Sequence, residues 1–89
     1  MNLKGIWNVH IPKRVAKAIS RFPERDRDRI LEIFREFKVN PWGGDIVKIK
    51  DEDNKWRRRV GSYRVFYSVY SERKLIEVKE VRRRNSKTY

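Results

Sequence analysis

Three arginines flank a tight turn in the second half of the chain, and their spacing is suited to binding an anion. Arg57 and Arg59 precede Gly61-Ser62, and Arg64 follows it. A two-residue loop of the Gly-X type predicts a β-hairpin in which Arg59 opposes Arg64 and Arg57 lies two residues away on the same face. Like charges that face each other across a strand pair are destabilising, so folding alone does not explain them. The register therefore predicts an anion site, while three solvated arginines splayed into water remain the alternative interpretation.

The C-terminal end of the chain adds further cations beside an aromatic side chain. Arg82, Arg83, Arg84 and Lys87 occur within its last eight residues, and Tyr89 closes it. Arginines and a nearby aromatic ring suit a phosphate and a stacked base, a combination used to bind single-stranded RNA. A basic tail is often only a disordered arm. This end therefore supports a nucleic-acid site only in combination with the arginine hairpin.

The charge of the whole chain favours a polyanionic partner. Its 89 residues include 24 lysines and arginines against 12 aspartates and glutamates, a formal net charge of +12 at pH 7. A field of this sign attracts polyanions and speeds their encounter with the protein. RNA, DNA, an acidic protein and an anionic membrane all fit this charge.

Several common kinds of catalytic site lack the residues to build them. The chain has no cysteine, so it forms neither a disulfide nor a thiolate metal site. The single histidine, His10, has no obvious partner. No Ser/His/Asp set, glycine-rich phosphate loop or His-Glu metal motif occurs, and the acidic run 51–54 is interpreted as a turn. We expect no metal and no cofactor, so any hydrolytic chemistry must depend on Arg, Lys and Tyr.

The first half of the chain predicts a strand followed by a helical hairpin. Residues 6–11 form the predicted strand, which Pro12 ends. A first helix follows from the helical spacing of four residues, Val15, Ala18, Ile19 and Phe22. Pro23 suits the first turn of a second helix, and Asn40-Pro41 ends it because the residue before proline avoids the helical region.

The second half of the chain predicts strands only. They cover residues 45–50, 55–60, 63–70 and 75–82, and a polar tail follows over 83–89. The whole chain, 1–89, is therefore expected to be one α+β domain. Its N-terminal strand and two-helix hairpin pack on an antiparallel sheet of about four strands.

No segment indicates a membrane or an export route. No apolar run approaches the roughly 20 residues of a membrane span, and the N-terminus lacks a charged segment followed by an apolar one. We expect a soluble cytoplasmic protein with no membrane partner.

Two segments resemble the RelE family of toxin–antitoxin ribonucleases. They are residues 55–69, Lys-Trp-Arg-Arg-Arg-Val-Gly-Ser-Tyr-Arg-Val-Phe-Tyr-Ser-Val, and residues 81–89, Val-Arg-Arg-Arg-Asn-Ser-Lys-Thr-Tyr. The shared pattern is an alternating basic strand, a tight turn, a Tyr-Arg-hydrophobic-x-Tyr strand and a basic tail that closes on Arg, Ser and Tyr. The predicted N-terminal strand and helical hairpin fit as well, so the resemblance covers nearly the whole chain and implies a RelE-like fold.

The resemblance implies the toxin of a type II toxin–antitoxin system. The implied activity is a metal-independent, ribosome-dependent endoribonuclease that cuts mRNA in the A site. In that reaction the ribose 2′-hydroxyl attacks the adjacent phosphate and the 5′ oxygen leaves. The implied partners are mRNA, the ribosome and an acidic RelB-like antitoxin in a heteromeric complex.

The same resemblance implies roles for individual residues. Arg57 and Arg59 fall on the basic strand positions, and Arg64 falls on the arginine that stabilises the phosphate. Arg83 falls on the arginine that aids the leaving group, and Tyr89 on the tyrosine that contacts the nucleotide to be cut. The candidate catalytic residues are Arg59, Arg64, Arg83 and Tyr89. The candidate contacts to RNA or the ribosome are Arg57, Arg82, Arg84 and Lys87.

The basic strand departs from relatives that carry lysines at the two strand positions, one of which is thought to act as the base. Arginine keeps its proton in proteins, so the identity of the base stays open, and Arg57 and Arg59 are candidates for RNA binding and charge stabilisation. Two other functions also stay open. One is a ParE-like toxin that inhibits DNA gyrase by binding, and the other is a non-catalytic RNA-binding module. The arginines at 59, 64 and 83 and the terminal tyrosine favour the ribonuclease over the ParE-like toxin.

Overall fold

Two helices and five strands follow one another in the predicted order. The structure is a computed structural model that describes residues 6–84. Its elements are β1 (Asn8–His10), α1 (Lys13–Ile19), α2 (Glu24–Val39), β2 (Ile46–Lys48), β3 (Trp56–Val60), β4 (Tyr63–Tyr70) and β5 (Leu75–Arg83). A short 3-10 helix, Ser71–Arg73, joins β4 to β5.

Each helix begins directly after a proline. Pro12 and Pro23 occupy the N-cap positions of α1 and α2. α1 ends at Ile19, so Phe22, which we predicted on its apolar stripe, lies in the connecting loop. The following proline disfavours a helical conformation at Phe22. Its ring nevertheless packs on the sheet, with its centroid 4.6 Å from that of Tyr63.

The sheet contains five strands in the order β1-β5-β4-β3-β2. β1 runs parallel to β5, and every other neighbouring pair is antiparallel. The α+β class is therefore confirmed. We predicted an antiparallel sheet of about four strands, but β1 joins it as a fifth strand and its parallel pairing makes the sheet mixed. Val9 of β1 pairs with Ile76 of β5, more than sixty residues away along the chain. The short apolar pattern of β1 does not predict the strand with which it pairs.

The β3–β4 hairpin has the register predicted from its two-residue loop. Arg59 pairs with Arg64, and Trp56 pairs with Tyr67. Gly61, the first loop residue, has a φ of +59°, which glycine adopts without the steric penalty of a Cβ. The turn thereby fixes which side chains of β3 and β4 share a face.

The core lies between the two helices and one face of the sheet, which we call the helix face. α2 contributes four buried residues at helical spacing, Ile30, Ile33, Phe34 and Phe37. The sheet contributes alternate residues of its central strands, among them Val60, Tyr63, Val65, Tyr67, Ile76 and Val78. The opposite side of the sheet, which carries the intervening residues of these strands, is here called the open face. Neither helix in residues 6–84 is long and apolar enough to cross a bilayer.

Candidate nucleic-acid interface

Three arginines lie side by side on the open face, one from each of three adjacent strands. Arg59 of β3 pairs with Arg64 of β4, and Arg64 pairs with Arg82 of β5. We call this set the arginine row. Neighbouring strands are about 4.8 Å apart, so the row concentrates like charge at one end of the sheet. The hairpin predicted the first two members, and the β4–β5 register adds the third.

Carboxylates neutralise the two ends of the arginine row. Arg59 Nε lies 3.6 Å from Asp45 Oδ2, and the Arg59 backbone N–H donates to the Asp45 carbonyl oxygen at 3.0 Å. Arg82 donates from Nε and Nη2 to the two carboxylate oxygens of Glu80, at 3.0 and 3.1 Å. The Glu80 carboxylate raises the pKa of the Arg82 guanidinium, mainly through these hydrogen bonds.

The centre of the arginine row has no such counter-ion. Among residues 6–84, Arg64 forms no ion pair. Its Nε atom is shielded from solvent and has no acceptor in the described part of the chain. A buried donor without a partner is unfavourable, so a bound anion would relieve Arg64, and the Nε atom of Arg57 on the same face is in the same state.

A second row on the open face combines cations with an aromatic ring. Arg57 pairs with Phe66, and Phe66 pairs with Glu80. Lys55 Nζ lies 5.6 Å and Arg82 Cζ lies 5.3 Å from the centroid of the Phe66 ring, within the range of cation–π attraction. The row thus adds positive charge next to an aromatic surface.

Lys55 is the site residue that our sequence reasoning missed. Its position, two residues before Arg57 and four before Arg59, was the available signal because alternate residues of a strand share a face. Its ammonium lies 3.8 Å from Glu52 Oε2. Unlike the arginines around it, Lys55 carries a compact ammonium on a flexible four-carbon stem.

Arg58, between Arg57 and Arg59, projects from the helix face. It is only 8% exposed, and its Nη2 donates to Glu36 Oε1 of α2 at 3.0 Å. A Cβ on Gly44 would collide with the Arg58 guanidinium, and Gly44 has a φ of +80°. Arg58 therefore ties α2 and the loop after it to β3, and it does not contribute to the open face.

The structure does not bring Arg83 together with the arginine row. Arg83 is the last residue of β5 and pairs with Tyr63, so its side chain lies on the helix face, with Cζ 5.9 Å from the Tyr63 ring centroid. Arg84 is exposed, and its backbone N–H donates to the Ser62 carbonyl oxygen at 2.6 Å. Lys87 and Tyr89 lie outside the described residues, and the predicted roles of all these residues stay predictions.

Two buried tyrosines frame the site from the helix face. Burial raises the pKa of Tyr67 to about 12, and its hydroxyl donates to the Pro41 carbonyl oxygen at 2.8 Å. Burial, followed by a hydrogen bond to Asp26, also raises the pKa of Tyr63. Both hydroxyls therefore keep their protons at neutral pH and act as structural donors.

Within residues 6–84, no three His, Cys, Asp or Glu side chains gather closely enough to hold a metal ion.

Sequence comparison places the chain in a known family. No protein-family model matches the chain. A protein of Methanocaldococcus jannaschii that carries the toxin name RelE1 is 32% identical over 81 residues, which cover 88% of this chain and 90% of the relative. The chain belongs to the RelE family of toxins. RelE proteins are toxins of toxin–antitoxin systems, so the family predicted from residues 55–69 and 81–89 is confirmed.

Solved structures support the RelE fold. In the RelE–RelB complex of Pyrococcus horikoshii OT3, the similar chain has a TM-score of 0.80 and 29% identity, over 92% of this chain and 99% of that chain. In the RelB–RelE complex of Methanococcus jannaschii, the similar chain has a TM-score of 0.71 and 31% identity, over 86% of this chain and 92% of that chain. The predicted RelE-like arrangement of a strand, a helical hairpin and a sheet is confirmed.

Proposed function

We propose that this RelE-family toxin is a ribosome-dependent endoribonuclease that cleaves mRNA in the A site without a metal ion. The observation that supports this most strongly is the arginine row, whose central member, Arg64, has no carboxylate partner in the described part of the chain. A folded protein gains nothing from aligned like charges, whereas an RNA phosphate relieves their repulsion.

The arginine row suits the charge that develops during transesterification. As the ribose 2′-hydroxyl attacks the adjacent phosphate, negative charge grows on the phosphoryl oxygens. Donors that are already fixed at those oxygens lower the barrier, and removal of one donor typically slows the reaction by about 10²–10³-fold. Arg64 lies within the central part of a sheet, between Arg59 and Arg82, and is the member that we assign to the phosphoryl oxygens.

Lys55 is the candidate acceptor for the 2′-hydroxyl proton. The arginines on the open face keep their protons, so they cannot act as the base. In this proposal Lys55 takes the proton of the attacking hydroxyl, and the departing 5′ oxygen takes a proton from water. Lys55→Arg retains the positive charge but supplies no base, so it should slow single-turnover cleavage strongly and leave RNA binding unchanged. A Lys55→Arg variant that cleaves at the wild-type rate would remove Lys55 from this role.

Arg83 and Tyr89 retain the roles that the family resemblance implies. Since Arg83 lies on the helix face above Tyr63, its side chain must rotate past the end of β5 to reach a leaving oxygen on the open face. An arginine is a weak acid, so we assign it charge stabilisation. Tyr89 offers a ring for stacking on a base, worth roughly 1–3 kcal/mol. Tyr89→Ala should therefore slow cleavage more than Tyr89→Phe.

An acidic RelB-like antitoxin is the proposed protein partner. The solved relatives from Pyrococcus horikoshii and Methanococcus jannaschii are both RelE–RelB complexes. The net charge of +12 attracts an acidic chain, and a disordered one that folds over the open face would block RNA. We accordingly place the toxin in the cytoplasm, together with ribosomes and this antitoxin.

Induced expression followed by primer extension on cellular messages tests the proposal. Cuts within translated codons are the expected result, and Arg64→Ala should abolish them. Lys13→Ala is a matched control, because Lys13 is an exposed cation on α1. Intact messages accompanied by DNA damage would indicate the ParE-like alternative, and intact messages without damage would leave an RNA-binding module.

A further inference from the structure

A cationic cavity lies on the helix side of the β3–β4 turn. It has a volume of about 210 Å³ and is enclosed by the first turns of α2 and by the turn itself. We call it the hairpin-tip notch. Its lining residues are Arg25, Asp26, Arg29, Val60, Gly61, Ser62 and Tyr63.

The hairpin-tip notch has an excess of positive charge. Arg25 and Arg29 are one helical turn apart on α2 and therefore project to the same side. Among residues 6–84 neither forms an ion pair. Arg83 adds a third cation next to the Tyr63 ring. The one carboxylate in the lining, that of Asp26, already accepts the Tyr63 hydroxyl at 2.9 Å.

The walls of the hairpin-tip notch are fixed, and its mouth is open. Tyr63 is 3% exposed and is held by Asp26 on one side and by the Phe22 ring on the other. At the tip, a Cβ on Gly61 would meet no atom within 4 Å. A ligand that passes around the turn can thus enter without displacing the core.

The hairpin-tip notch and the arginine row lie on opposite faces of the same end of the sheet. Arg59 and Arg64 flank Gly61-Ser62 on the open face, while Val60 and Tyr63 flank it on the helix face. A strand bound to the arginine row would therefore reach the notch by bending around the turn. A phosphodiester backbone fits the notch better than an acidic helix of the antitoxin does, because such a helix also needs an apolar groove and the apolar part of the lining is limited to Val60 and the Tyr63 ring.

We propose that the hairpin-tip notch binds a backbone phosphate of the RNA strand that the arginine row holds, with Arg25 and Arg29 as its direct ligands. This inference rests on the proposed function only in requiring that the open face binds RNA. It requires no cleavage.

The test measures binding of single-stranded RNA oligonucleotides whose riboses are all 2′-O-methylated, so that no 2′-hydroxyl attack is possible. A trinucleotide covers the arginine row alone, and a longer oligonucleotide also reaches around the turn. The variant Arg25→Ala/Arg29→Ala should bind the long oligonucleotide about tenfold more weakly than the wild type at low salt. Its affinity for the trinucleotide should be unchanged. For the long oligonucleotide, the slope of log binding constant against log salt concentration should become less steep by about 0.7 for each phosphate that the variant no longer neutralises.

Lys13→Ala/Lys17→Ala is the matched control, since it removes two exposed cations one turn apart on α1. If the notch variant loses the same affinity for both oligonucleotides, or if the control variant loses as much affinity for the long oligonucleotide as the notch variant does, the effect is one of general charge and the inference is overturned. No weakening of the long strand would overturn it as well. So would a variant that loses affinity for the acidic antitoxin and not for RNA. If Arg25→Ala/Arg29→Ala fails to fold, Arg25→Gln/Arg29→Gln replaces it.

The outcome is separable from that of the proposed function. A wild-type protein that cuts no mRNA, while the notch variant still loses only the long oligonucleotide, refutes the ribonuclease and retains the notch. A wild-type protein that cuts mRNA, while the variant binds both oligonucleotides normally, retains the ribonuclease and refutes the notch. A wild-type protein that binds neither oligonucleotide refutes the notch.

Discussion

The two faces of β3 use the same residue type for opposite purposes. Arg58 projects to the helix face, where it is buried, bonded to Glu36 and packed against Gly44. Arg57 and Arg59 project to the open face, where Arg59 joins an arginine row. Residue type alone therefore does not distinguish a structural arginine from a functional one. Strand alternation and the available partners do.

The difference between the faces concerns what happens when a side chain is removed. On the helix face, an arginine fills space and satisfies a carboxylate of α2, so its loss weakens the fold. In the arginine row, the neighbours of Arg64 repel it without a carboxylate to compensate, so its loss relieves repulsion and, in the proposed function, removes a phosphate ligand. Stability and activity should therefore respond in opposite ways to equivalent substitutions on the two faces.

Arg64→Ala should have the largest effect on activity and almost none on stability. We expect single-turnover cleavage on programmed ribosomes to slow by about 10²–10³-fold. The melting temperature should stay constant or rise slightly, because repulsion from Arg59 and Arg82 disappears. Quench-flow kinetics and calorimetry on the same preparation measure both. A large fall in melting temperature would make Arg64 structural.

Arg58→Ala should show the reverse pattern, with a smaller effect. The lost packing and the lost Glu36 bond should lower the free energy of unfolding by about 2 kcal/mol, or about 10 °C in melting temperature for a domain of this size. Cleavage by the folded fraction should change little. Arg58→Met keeps most of the packing and should recover part of the stability, since Glu36 is half-exposed and can be hydrated. Wild-type stability of Arg58→Ala would contradict this assignment.

The alkaline limit of stability should depend on Tyr67. Its pKa rises from 10.0 to about 12 on folding, so the stabilising contribution is complete below pH 10 and is lost as the pH rises from 10 to 12. At pH 11 the loss should be about 1 kcal/mol. Urea unfolding at a series of pH values measures it. Tyr67→Phe should be less stable at neutral pH, because the Pro41 carbonyl loses its donor, and should lose less stability between pH 10 and 12. Tyr63 contributes in the same direction.

The local parts of the fold and of the site could be predicted from the sequence. The two-residue loop at Gly61-Ser62 determined the β3–β4 register, because a tight turn leaves little choice of pairing, and the register determined the Arg59–Arg64 pair. Pro23 marked where α2 begins, and it occupies the N-cap position rather than the first turn that we predicted. The pairing of β1 with β5 could not be predicted, since it joins segments far apart in sequence and three residues carry too little pattern.

Two features of the site also required the structure. We predicted that β5 ends at Arg82, but the strand continues to Arg83, and this added residue places the Arg83 side chain on the helix face. The counter-ions of the arginine row come from two separate parts of the chain, since Asp45 directly precedes β2 and Glu80 lies on β5. Only the folded sheet therefore identifies Arg64 as the member without a counter-ion. Lys55, in contrast, could have been found from strand alternation alone.

The chemical ends of cut mRNA distinguish the proposed transesterification from other cleavage reactions. Purified toxin would be added to ribosomes that hold a defined mRNA codon in the A site, and the fragments would be analysed by mass spectrometry. We expect an upstream fragment with a 2′,3′-cyclic phosphate and a downstream fragment with a 5′-hydroxyl, and Arg64→Ala should form both about 10²–10³-fold more slowly. Intact mRNA, or fragments with 5′-phosphate ends, would contradict the proposed function.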